Sequence, residues 1–140
     1  MFDIANSSTG ASITLATSHD DDNPPENIID GKSHTFWSTT GLFPQEFVLS
    51  FSSLMSMNKI ILTTTNVRKI SIEKTVKTDP KDFEFVVEKE FEFSDGQLQK
   101  EEFKLTNTPA VHLRFTILEG YDHFVSVHQV NIDGTAVRQS

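Results

Sequence analysis

Polar and apolar residues alternate one by one along most of this chain, and that period constrains its fold more than any other feature. Residues 69–74 read Lys-Ile-Ser-Ile-Glu-Lys, and residues 83–88 read Phe-Glu-Phe-Val-Val-Glu. The same period runs through residues 12–16, 90–93, 102–105, 111–117 and 125–132, and apolar or β-branched runs lie at 47–51 and 59–65. Successive side chains of a strand point to opposite faces, so each run predicts a strand. No apolar face of helical period extends beyond about two turns; one short turn fits at Asn27-Ile28-Ile29, after Pro24-Pro25. Turn signals separate the runs: Asn23-Pro24-Pro25, Asp30-Gly31, Thr40-Gly41, Asp79-Pro80, Ser94-Asp95-Gly96, Asn107-Thr108-Pro109 and Glu119-Gly120. About eight strands at this spacing predict an all-β sandwich. Residues 1–135 are read as its single domain and 136–140 as a short tail.

Charge narrows the function. Lys and Arg number 12 against 20 Asp and Glu, a net charge of −8, and no basic cluster exceeds two residues, as at Arg68-Lys69. That average field repels a phosphate backbone or an anionic membrane, so neither nucleic acid nor membrane insertion is expected. It is compatible with divalent cations and basic proteins, and equally with plain solubility. The chain has no cysteine, which excludes thiolate catalysis and cysteine-ligated metal sites, and points to a reducing compartment. No apolar run approaches the length of a membrane span. The opening Met1-Phe2-Asp3-Ile4 lacks the pattern of a signal peptide. Twelve Phe stand against one Trp and one Tyr, so much of the buried area is expected from rings with no polar tip.

Function belongs in loops between strands. The longest, residues 17–44, is about 28 residues, well beyond a plain connection. In it Asp30-Gly31 forms a turn, Thr35 follows five residues after the aspartate, and Phe36-Trp37 supplies a buried anchor. A compact loop can turn the Asp30 carboxylate, the Thr35 hydroxyl and backbone carbonyls inward, the all-oxygen set that calcium takes. The alternative is that Asp30 only caps a common turn. The spacing is not that of an EF-hand.

The run from Pro24 to Gly31, followed by Thr35-Phe36-Trp37-Ser38, resembles the signature of the discoidin, or coagulation-factor C-type, domains. The resemblance implies an eight-stranded antiparallel jelly-roll sandwich, galactose-binding-like, with a structural calcium in this loop. Further blocks, Phe43-Pro44-Gln45-Glu46-Phe47, Gly96-Gln97-Leu98-Gln99 and Tyr121 through His128, are similar to the family of small subunits of intraflagellar transport complex B. That resemblance spans residues 13–135. It implies a non-catalytic subunit that pairs with a Rab-like small GTPase and meets other complex B subunits, located in cilium or flagellum and in the cytoplasm near the basal body. Carried over residue by residue, it implies calcium ligands in the side chains of Asp30 and Thr35 and the carbonyls of Asn27 and Lys32. Gln129 matches a position where related sugar-binding modules place a glutamate, and its neutrality lowers the charge of the site. Trp37 matches a buried tryptophan and is read as core.

Other constellations carry less. His123 and His128 lie five apart beside Asp122, which on a strand puts them on opposite faces, and a zinc site needs three or four ligands. The plain reading is polar residues on a loop and a strand edge; His19, His34 and His112 complete the five histidines. No G-x-S-x-G and no phosphate loop is present, so an enzyme is not expected. Asp20-Asp21-Asp22, Glu90 with Glu92, and Glu101-Glu102 read as solvated charge. Two alternatives stand beside the transport subunit. One is a carbohydrate-binding module, for which aromatic platforms beyond Trp37 and Tyr121 are scarce. The other is a small heat-shock chaperone, whose I-x-I/V tail motif is missing from residues 136–140. A docking face is sought in a Phe-rich hairpin at 83–93 and in residues 127–137.

Overall fold

Alternation does become strand. A computed structural model describes residues 3–18, 21–32, 34–39 and 42–137. Its strands are β1 (Ser12–Ala16), β2 (Trp37–Ser38), β3 (Gln45–Thr65), β4 (Val67–Thr75), β5 (Glu84–Glu90), β6 (Gln99–Gly120) and β7 (Ser126–Ala136). Two single 3-10 turns, Ser7–Thr9 and Pro25–Ile29, complete the regular structure. Every pairing is antiparallel. The strand order is β2-β7-β3-β6-β4-β5, with β1 added to β3.

The two longest strands make the sandwich. The first part of β3 pairs β1 on one side and the C-terminal part of β6 on the other, through Phe47↔Phe115 and Leu49↔Leu113. Its second part pairs β7 and the N-terminal part of β6, through Ile60↔Ile132 and Ile60↔Phe103. Register shifts between Ser50 and Met55 and between Met57 and Lys59 mark the bend from one layer to the other. Bulges let a strand turn a corner without giving up its pairing.

The core lies between these layers. Trp37, Phe47, Leu49, Ile60, Leu62, Ile70, Ile72, Phe115, Val130 and Ile132 are fully buried. Three rings form a ladder through it: Trp37 meets Phe47 edge-on at 5.5 Å between centroids, and Phe47 stacks on Phe115 at 4.8 Å. Each such side chain contributes about 1.5–3 kcal/mol by leaving water. The indole N–H of Trp37 donates to the Ser18 carbonyl at 3.0 Å, so its one polar atom is satisfied.

Several expectations need correction. Asn107-Thr108-Pro109 is not a turn between strands: Thr108 and Pro109 pair with Met57 and Ser56 inside β6, and Asn107 takes the left-handed φ of 42° at the bulge. The runs at 47–51 and 59–65 belong to one strand, as do those at 102–105 and 111–117. The segment 83–93 is not a hairpin, since β5 pairs only β4 and stops at Glu90. β7 runs on to Ala136, opposite Met55, and the Val137 N–H donates to the Leu54 carbonyl. Strand β2 has two residues, too few to show a period. The Thr40-Gly41 turn, His19, Asp20 and residues 138–140 lie outside the described residues.

Candidate functional site

The described part of the long loop is held by its own hydrogen bonds and by its neighbours. Pro25 opens the second 3-10 turn, where a missing N–H costs nothing, and Ile28 and Ile29 of that turn are buried. The turn packs against β7, β1 and β2. Asn27 then closes the loop, its side-chain amide donating to the Phe36 carbonyl at 3.0 Å. Phe36 lies against the ring of His128 on β7, 5.1 Å between centroids. Trp37 enters the core one residue later.

Within this frame the chain reverses at Gly31, whose φ is +76°. Only glycine takes that backbone without strain. A Cβ there would also stand 3.1 Å from Nδ2 of Asn6. The reversal brings three oxygens together. Asp30 Oδ1 accepts from the Lys32 N–H at 2.9 Å, and Asp30 Oδ2 accepts from the Thr35 hydroxyl at 2.6 Å. Thr35 Oγ1 also lies 3.4 Å from the Lys32 carbonyl oxygen.

These separations test whether the residues fit calcium. Two oxygens at right angles on an ion with bonds of 2.3–2.6 Å stand about 3.3–3.7 Å apart. The spacing from Thr35 Oγ1 to the Lys32 carbonyl falls in that range, and the donors are all hard oxygens. Asp30 Oδ2 and Thr35 Oγ1, held at 2.6 Å by their hydrogen bond, stand closer than that, so Asp30, Thr35 and Lys32 match the ion in donor type, with a single negative charge, and only the Thr35–Lys32 pair matches it in spacing. Asn27 lies in the preceding 3-10 turn, with its side chain spent on the Phe36 carbonyl. Gln129 is half-buried on β7 opposite Thr63, and among the described residues no hydrogen bond joins its side chain to the loop. Among the described residues, no group of three or more His, Asp or Glu side chains is arranged to hold a metal.

Histidines and carboxylates sort as surface chemistry, with one exception. His34 and His123 are exposed. His128 is held below its ordinary pKa by burial, and its Nε2 lies 3.0 Å from Ser126 Oγ. The exception is His112, which is buried in a hydrogen-bonded chain. Its Nε2 lies 2.6 Å from the Thr78 carbonyl, its Nδ1 2.7 Å from Ser50 Oγ, and Ser50 Oγ 2.8 Å from Thr14 Oγ1. A carbonyl can only accept, so Nε2 carries the proton and Ser50 donates to Nδ1. Its position in a strand gave no sign of these partners. Glu101, Glu102 and Glu90 pair with Lys89, Lys59 and Arg68 across strands, in keeping with solvated charge.

The docking segments expected from sequence fare unequally. Val127, Val130 and Ile132 of β7 are buried, so that strand offers no apolar face. Phe85 and Phe93 are exposed, at 67% and 64%, whereas Phe91 is buried. Trp37 is wholly enclosed and offers no stacking platform; Tyr121 is half-buried, bonded through its hydroxyl to the Phe91 carbonyl and packed on Phe93.

Known proteins place this arrangement in context. The F5/8 type C domain family matches residues 7–130. Intraflagellar transport protein 25 homolog of Homo sapiens is 44% identical over 135 residues, covering 96% of this chain and 94% of that protein. Intraflagellar transport protein 25 of Chlamydomonas reinhardtii is 40% identical over 134 residues, covering 96% of this chain and 70% of that protein. Among solved structures, the family 32 carbohydrate-binding module of C. perfringens NanJ, in complex with galactose, superposes with a TM-score of 0.78 over 93% of this chain and 96% of that one. Its sequence is 20% identical, so it shares the fold alone.

Proposed function

The chain belongs to the intraflagellar transport protein 25 family within the F5/8 type C domains, and on that premise we propose that it is a non-catalytic subunit of intraflagellar transport complex B. It forms a heterodimer with a Rab-like small GTPase subunit and acts in cilium or flagellum and in the cytoplasm near the basal body. The observation that carries this reading is 44% identity maintained over 96% of the chain and 94% of the relative. The chemistry agrees. The polar clusters described above are spent on hydrogen bonds within the fold, and the carboxylates at the strand surfaces are solvated or ion-paired.

The long loop is the second part of the proposal. Asp30, Thr35 and the carbonyl of Lys32 hold a structural calcium, with the Asn27 carbonyl and Gln129 as the remaining candidate ligands. The ion supplies cross-linking of the loop and no Lewis-acid chemistry. Asp30 holds the turn by accepting from the Lys32 N–H, Asn27 staples the loop ends, and Trp37 anchors the whole in the core. Support comes from the convergence of hard oxygens at 2.6–3.4 Å around Thr35. One carboxylate makes a weaker site than the multi-carboxylate cages of tight calcium proteins.

A tagged chain retrieved from ciliated cells, with and without a calcium chelator, tests this by mass spectrometry. The expected result is recovery of a Rab-like GTPase and other transport subunits. Loss on chelation makes the ion part of docking, and survival makes it local to the loop. Recovery of glycoproteins alone, released by free galactose, contradicts the proposal and restores the carbohydrate-binding reading.

A further inference from the structure

A small cavity lies on the outer face of the layer holding β1. Its volume is about 150 Å³, and Leu15, Val48, Pro80 and Phe83 give it apolar walls. Three polar side chains, Thr14, Glu46 and Arg114, complete it. Two of these are already engaged. Arg114 is gripped by both carboxylate oxygens of Glu73, at 3.1 and 2.9 Å, and its guanidinium lies 4.4 Å from the Phe83 ring centre. Thr14 Oγ1 lies 2.8 Å from Ser50 Oγ. The Glu46 carboxylate is different: among the described residues it makes no hydrogen bond and no close ion pair, and it acts on Arg114 through its charge, after Glu73 has taken the guanidinium's hydrogen bonds. Two carboxylates therefore face one guanidinium, and the cavity carries a surplus negative charge in a chain of net charge −8.

A second observation is the register. Leu15 pairs Val48, Val48 pairs Arg114, Arg114 pairs Glu73, and Glu73 pairs Phe85. Cross-strand partners share a face, so these five residues form one row over five strands. At about 4.8 Å per strand the row is about 19 Å long, the reach of roughly six extended residues. Its ends, Leu15 and Phe85, are 47% and 67% exposed.

We propose that this row and its cavity dock a partner polypeptide through one lysine or arginine side chain, the aliphatic stem lying on Leu15, Val48 and Phe83 and the cationic head at Glu46. A long cationic side chain has both the apolar stem and the charged head that such a cavity selects. A small solitary cation leaves Leu15 and Phe85 uncovered, whereas a segment flanking the anchor covers both. The surface is independent of the calcium loop and of the transport reading.

The probe is a capped hexapeptide with one central arginine flanked by leucines, titrated into the ¹⁵N-labelled chain and followed by NMR. Expected are shifts at Thr14, Leu15, Glu46 and Arg114, lost when the arginine is replaced by its neutral isostere citrulline. Glu46→Gln weakens binding at least tenfold, and argininamide alone binds at least tenfold more weakly than the peptide. Equal binding of the citrulline peptide, which leaves the protein untouched, overturns the proposal. So do shifts elsewhere, no shifts at millimolar peptide, or argininamide matching the peptide.

Discussion

Asp30 carries most of the site at the scale of single residues. It alone brings negative charge, and both its oxygens are already turned to the loop. Asp30→Ala is expected to remove the rise in melting temperature that calcium gives the parent chain, because an ion bound only by the folded state stabilises it by mass action. A calorimetric scan with and without calcium reads this; an unchanged rise in the variant contradicts the ligand assignment. Trp37→Ala opens a cavity in the ring ladder and frees the loop, at a cost of about 3–5 kcal/mol by urea unfolding. His128 gives a pH test. Burial lowers its pKa from the ordinary 6.5. Its contribution to stability is therefore whole above about pH 6.5. Below that, the unfolded chain takes a proton that the folded one refuses, and stability falls until the folded pKa is passed. Melting temperature measured from pH 7.5 down to 5 should fall less steeply in His128→Gln than in the parent. At this scale the sequence located the turn: Asp30 is hydrogen-bonded to Thr35 and to the Lys32 N–H, five and two residues on. Asn27 was legible as a loop member, but its amide staple to Phe36 depends on a fold-back of nine residues that spacing cannot show. Gln129 was placed by its match to a glutamate position in related modules, and such a match says nothing about which way a strand residue faces the loop.

Long strands are what the sequence hid at the scale of elements. The alternating runs located β1, β4 and much of β7; β4 and β7 each bury one face, whereas β1 is an edge strand with no fully buried residue. β3 and β6 change layers midway, so their buried face switches and the alternation breaks at Ser52, Asn58 and Asn107. A break reads as a turn when only local chemistry is visible. Pairing continues through it because the bulges place Asn107 and Pro109 where a lost ladder bond is tolerated. The crossing is tight on the β7 side. A Cβ at Gly134 would stand 2.7 Å from the Ser56 carbonyl and 2.8 Å from Ile4 Cδ1. Backbone cannot yield as a side-chain tip does, so Gly134→Ala is expected to cost about 1–3 kcal/mol, checked by urea denaturation. A cost below the error of that measurement contradicts the close packing described here.

The whole molecule is a sandwich whose exposed large apolar side chains, among the described residues, include Leu15, Leu42, Phe85, Phe93, Leu98 and Phe124. Such exposure on an acidic fold suits docking better than chemistry. Which Phe side chains are exposed was not legible in sequence, because an exposed Phe and a buried Phe have the same letter and the same period. The central claim, a heterodimer with a Rab-like GTPase, is tested most directly by co-expressing the two chains and measuring the mass of the purified species by light scattering. The account predicts a stable one-to-one complex that excess galactose does not dissociate. Two separate monomers under the same conditions, with calcium present, would contradict it.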